Sequence, residues 1–139
     1  MADAGRGRPE GSRHARERLT AVRDGLLGLH KSLLESERVG YERAHGRIAS
    51  RQEFLTLALQ NEWFAWLRPV SELIVLMDEL LQGDEPVTDE RASALVERTR
   101  TLLTDGHARF GRKYHDLLQR DPTVLVAHGA VIGRLATVH

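Results

Sequence analysis

The sequence predicts an all-α fold, an up-and-down bundle of about four main helices. Three observations carry this expectation. Apolar residues recur at alternating steps of three and four: Leu59, Trp63, Trp66, Val70, Leu73, Met77 and Leu80 are spaced 4, 3, 4, 3, 4, 3, which places them on one helical face. Residues that start and stop helices separate the periodic segments. Strand signals are weak and no internal repeat is visible, while short connections favour antiparallel neighbours. The 139 residues suit one domain able to bury roughly two thirds of its unfolded surface.

Residues 1–11 are rich in Gly, Ala, Arg and Pro and read as a disordered tail, with residues 12–139 as a single helical bundle domain. Ser12 or Gly11 opens the first helix, whose face is Leu19, Val22, Leu26, Leu29 and Leu33, flanked by Leu27, Leu34 and Tyr41. His45-Gly46 ends it. Gly25 and Gly28 inside it cost about 1 kcal/mol each relative to Ala. They either admit a closely approaching helix or are simply tolerated.

Ser50-Arg51-Gln52-Glu53 is a capping box, in which hydroxyl and carboxylate each accept from the other residue's amide. The second helix runs from there to Gln82, with Gly83 as a left-handed stop. Pro69 lies in its middle, lacking the amide proton for the carbonyl of Ala65. Because the apolar phase continues past Pro69, the expectation is one long helix kinked at that residue. Thr88 or Asp89 caps the third helix, with Ala92, Leu95, Thr99, Leu102 and Leu103 inward. Thr104-Asp105-Gly106 suggests a break. A short helix follows with Phe110, Tyr114, Leu117 and Leu118 inward. Asp121-Pro122 then starts the last helix, whose face is Val124, His128, Val131, Leu135 and Val138.

Composition excludes several functions. The chain carries 20 acidic and 20 basic residues, so no net basic field gathers phosphates. Arg6, Arg8, Arg13, Arg16 and Arg18 make the N-terminal end locally basic, but no recognition motif accompanies them, and nucleic acid is not an expected partner. Lys31 and Lys113 are the only lysines, which reads as GC-rich coding rather than arginine chemistry. Without cysteine there are no disulfides, thiolate nucleophiles or Cys-based metal sites. Met1 to Gly11 lacks the apolar core of a signal peptide. The longest uncharged run, Pro122 to Gly133, is short of the ~20 residues that cross a bilayer. These features predict a soluble, cytoplasmic protein that does not engage membranes.

Several constellations bear on chemistry. Glu42-Arg43-Ala44-His45 has the Glu-x-x-His spacing of di-iron bundles, which need two such motifs. None of the other six histidines has an acid three residues before it, so a solvated helix end is expected and no metal or cofactor is implied. His30 and Glu37 project into the first helix's stripe, Glu62 sits at the edge of the second helix's stripe, and His128 lies within the last helix's face. Buried, such groups must pair or shift their pKa. Converging, these four would form a ligand or metal site; apart, they are structural. Trp63, Phe64, Trp66, Arg68 and Pro69 cluster at the expected kink, where an aromatic-lined interior suits flat ligands. There is no Gly-rich phosphate loop, no His-Glu-x-x-His and no Gly-x-Ser-x-Gly.

Thr123-Val124-Leu125-Val126-Ala127-His128-Gly129-Ala130-Val131-Ile132 resembles the second-histidine segment of the histidine phosphatase superfamily. That resemblance implies a strand over residues 123–127 and a role for His128 at a phosphoryl group. The family's Arg-His-Gly nucleophile motif has only Arg13-His14-Ala15 and Ala44-His45-Gly46 as counterparts, neither after a strand. Trp63-Phe64-Ala65-Trp66-Leu67-Arg68-Pro69, with Leu118-Gln119-Arg120-Asp121-Pro122, is similar to small uncharacterised bacterial helical proteins, which implies an α-helical fold and no activity.

The leading functional expectation is therefore non-enzymatic association. Leu57, Phe64 and Val75 lie opposite the second helix's main stripe and form a sticky face, so the chain is expected to be a homodimer, with an unknown protein partner as a further option. A small-ligand or metal-binding bundle using His30, Glu37, Glu62 and His128 is the alternative, and a phosphatase-like enzyme the third.

Overall fold

Ser12 has extended backbone and its hydroxyl accepts from the Ala15 amide at 3.0 Å, which launches the longest helix of the protein. The computed structural model describes residues 11–105 and 108–136. Within them lie six α-helices and one 3₁₀ segment: α1 (Arg13–His45), α2 (Arg51–Gln60), the 3₁₀ segment (Glu62–Leu67), α3 (Arg68–Gln82), α4 (Asp89–Thr104), α5 (Arg109–Arg120) and α6 (Pro122–Ala136). The expected tail falls almost wholly outside the described residues, as do Gly106 and Val138.

The helix α1 is the central element. Leu19, Val22, Leu26, Leu29 and Leu33 are each fully buried, as their spacing predicts. Around it pack α3, α4, α6 and the 3₁₀ segment. Cross-contacts give the directions. Arg16 donates to the carbonyl of Leu81, Arg23 pairs with Asp78, and Glu37 meets Trp66, so α1 and α3 run antiparallel. Gly25 faces Val131 and Arg134, while Arg134 donates to the carbonyl of Ala21. At Gly25 a Cβ would sit 3.1 Å from the Arg134 side chain, so this glycine admits α6. Gly28 meets nothing within 4 Å and is tolerated.

The expected single kinked helix from residue 52 to 82 is instead three pieces, and the break is at Asn61, not Pro69. Asn61 is extended (φ −89°, ψ 140°), and its side-chain oxygen accepts from the Trp63 amide at 2.8 Å. An Asn that satisfies a nearby amide itself competes with the helix ladder. Pro69 then falls in the first turn of α3, where its missing N–H has no partner to lose. Leu59, assigned from its spacing to the buried stripe, lies before this break and is 73% exposed.

The 3₁₀ segment also moves Phe64. With three residues per turn, positions i and i+3 eclipse. Trp63 and Trp66 therefore share one side, and Phe64 and Leu67 the adjacent one. Phe64 and Leu67 are each 2% exposed, so Phe64 is core, touching the rings of Tyr41 and Phe54. It is not on a sticky face. Leu57 packs half-buried against the core, and of the three proposed interface residues only Val75 is exposed.

The caps follow their residue types. Glu53 donates its amide to Ser50, while its carboxylate accepts from the Ala49 amide, one residue earlier than the box predicts. Thr88 caps α4, and the Asp121 carboxylate accepts from the amide of Thr123. Gly83 is extended rather than left-handed (φ −82°); the positive φ belongs to Gly46, at +93°. That conformation suits glycine, and it terminates α1.

Candidate functional site

The four polar residues singled out from sequence have separate surroundings. Glu37 accepts from the indole nitrogen of Trp66 at 3.0 Å. Trp66 is 4% exposed, and a buried indole N–H needs an acceptor. His128 on α6 meets the hydroxyl of Tyr114 on α5 at 2.6 Å. Burial pushes the Tyr114 phenol up, so it keeps its proton. The assignment that pairs this proton has Tyr114 donating to Nδ1, with the His128 proton on Nε2. Burial and the neighbouring His115 both lower the pKa of His128. His30 lines an apolar groove, and burial lowers its pKa. Glu62 is exposed in the first turn of the 3₁₀ segment.

A ladder of rings nonetheless links two of the four. Trp66, whose indole is held by Glu37, lies 5.5 Å from Phe110; Phe110 stacks on Tyr114 at 5.2 Å; Tyr114 reaches His128. The ladder joins α1, the 3₁₀ segment, α5 and α6 and carries packing. Lys113 places its ammonium 5.9 Å above Trp66. Among the described residues no group of three His, Cys, Asp or Glu could hold a metal. Glu42, half of the Glu-x-x-His spacing, accepts from Arg38 and from the amide of Ile48, while His45 stacks on Tyr41. Both finish α1.

The phosphatase-like arrangement is corrected. Thr123 to Ala127 is helix, within α6, so the strand that would present His128 does not exist. Asp121 and Pro122 start a helix and override the β-branched run that follows.

Two surface clefts carry what sequence reasoning did not find. The first, about 240 Å³, lies between α2, the 3₁₀ segment, α1 and α3, with His30, Leu34, Leu59, Phe64, Leu67 and Arg68 on its walls. Its ridge is α2, a ten-residue helix with no buried residue. Phe54, Leu57 and Ala58 turn half inward, while Leu55 and Leu59 turn out, 54% and 73% exposed. The signal was legible: an apolar ten-residue stretch with a low helical moment has no single inward side.

The second cleft, about 380 Å³, lies between the C-terminal half of α1 and the corner joining α5 to α6. Trp63 forms part of its wall, and the Trp63 indole nitrogen is buried without an acceptor among the described residues. Gly40 admits the Trp63 ring, which lies 3.4 Å from where a Cβ would be.

No helix among the described residues is long and apolar enough to cross a membrane. No protein family, curated protein or solved structure matches the chain.

Proposed function

We propose that the protein works by association, with a second copy of itself as the first partner, through the surface carried by α2. The observation that supports this is α2 itself. Half of its ten residues are apolar, none is buried, and it is held between the extended residues Ser50 and Asn61. A helix that short is marginal without packing, so a second surface over Leu55 and Leu59 would complete it. The same surface offers the receiving groove, floored by Leu34 and Leu67. A ridge beside a groove is what a two-fold interface needs, because each copy supplies both halves. Leu27, one turn from His30, and Val75, one turn from Ser71, extend the apolar area along α1 and α3. The rim is charged, with Lys31 and Arg68 exposed, as the edges of interfaces are.

Light scattering at about 100 µM, a concentration that populates even micromolar dimers, should give twice the chain mass. The double variant Leu55→Glu, Leu59→Glu should give a folded monomer of unchanged helicity. A wild type already monomeric there overturns the proposal.

A further inference from the structure

Resting on the association reading above, we propose that pH controls the joining of two copies through His30. The neutral ring lets the groove beside α2 be covered, and the protonated ring holds it open.

The argument starts from where His30 lies. On α1 it is one turn from Leu26, Leu27, Leu33 and Leu34, all apolar. Its half-buried ring forms part of the groove wall, with Phe64 and Leu67 across from it. Among the described residues the ring has no hydrogen-bond partner, so its polar atoms depend on the open side of the groove.

Few charges face it. Its neighbour Lys31 is exposed on the rim of α1. The 3₁₀ segment and α2 turn only apolar side chains to the groove, and α3 adds Ser71 and Arg68. Neither Glu53 nor Glu62 lines it. An imidazolium there has apolar wall around it, a guanidinium on the same wall and no carboxylate to pair with. Burial already lowers the pKa of His30 in the single chain.

Seating Leu55 and Leu59 of a second copy in the groove removes the water that the charged form needs. A neutral imidazole tolerates that loss far better than an imidazolium does. The covered ring therefore binds a proton less readily than the open one. Association is at full strength above the ordinary titration of imidazole near pH 6.5, and weakens as pH falls through and below it. A two-fold pair covers two grooves. Up to two protons are then shed per dimer, and the dissociation constant rises by at most about a hundredfold per pH unit.

The experiment measures the dissociation constant of the full chain by sedimentation equilibrium from about pH 8 to about pH 5 at constant salt. Far-UV circular dichroism at each pH verifies that the chain stays helical. The constant should rise at least tenfold across that range. The variant His30→Gln is read by its slope rather than its affinity, and should keep less than a third of the rise. His128→Gln should keep the whole of it, because His128 sits against Tyr114 on the α5–α6 side. A measurement on the unaltered chain covers the case in which His30→Gln folds poorly. Heats of dilution in two buffers of different ionisation enthalpy count the protons taken up as the dimer parts. Uptake should be clear at about pH 6 and absent at about pH 8. A dimer equally tight at both ends of the range, a tighter dimer at low pH, equal slopes in wild type and His30→Gln, or no proton uptake each overturn the inference and leave the association reading standing. A wild type monomeric at about pH 8 and about 100 µM overturns the association reading, and this inference with it.

Discussion

Trp66 concentrates much of the stability at the residue scale. Its ring is 4% exposed and its N–H is held by Glu37. Trp66→Ala should cost about 3–5 kcal/mol, read by chemical denaturation. Glu37→Ala orphans a buried donor and should cost about 1–3 kcal/mol, whereas Glu37→Gln, which retains an acceptor, should cost less. The two imidazoles His30 and His128 set a pH dependence. Burial lowers both below the ordinary 6.5, so the unfolded chain binds protons more readily than the folded one. Their contribution is complete above that pH and declines as pH falls through it. The thermal midpoint should drop between pH 7 and about 5, and His128→Gln should flatten the slope. An unchanged slope in that variant would remove His128 from the account. Glu37 and His128 were legible as polar groups on apolar faces. Their partners were not, because periodicity reports which side a residue faces and not which neighbour it meets there.

At the scale of elements the interruption at Asn61 governs most departures from expectation. Spacing read the tryptophan stripe correctly from Trp66 to Met77, because α3 is regular and strongly two-sided. It failed across residues 59–64, where Asn61 caps the following amide and a 3₁₀ turn resets the phase. The stripe looked continuous because Trp63 and Trp66 are aligned by either geometry, three residues apart. Pro69 drew attention as a disruption, yet proline is equally at home in a first turn. The consequence is testable. Phe64→Glu would have produced a monomer had Phe64 faced outward; with Phe64 at 2% exposure it should instead unfold the protein, since an isolated buried carboxylate has no partner. Loss of helical circular dichroism is the expected readout. In the Leu55→Glu, Leu59→Glu monomer, hydrogen exchange should be faster in α2 than in the other helices, because few buried contacts hold it.

At the scale of the whole molecule, the all-helical class was legible from caps and periods. The helix count and the central position of α1 were not. Centrality is a property of three dimensions: the stripe on α1 is no wider than its neighbours' stripes, but four other elements press against this one helix. Arginine, discounted as a coding bias, also ties the assembly together. Arg16 donates to the carbonyl of Leu81, Arg91 to that of Pro86, Arg100 to that of Leu135 and Arg134 to that of Ala21. Arg100→Lys should be measurably less stable than wild type, by about 0.5–1.5 kcal/mol, because a lysine cannot hold Glu97 and the end of α6 at once.

The embrace of α1 by α6 also orders events on the ribosome. The hydrogen bond from Arg134 to Ala21 spans 113 positions, so α1 leaves the ribosome well before α6 can cover its Gly25 side. Contacts of such separation form late and slowly, and until α6 is made the nascent chain must carry a greasy, half-dressed rod.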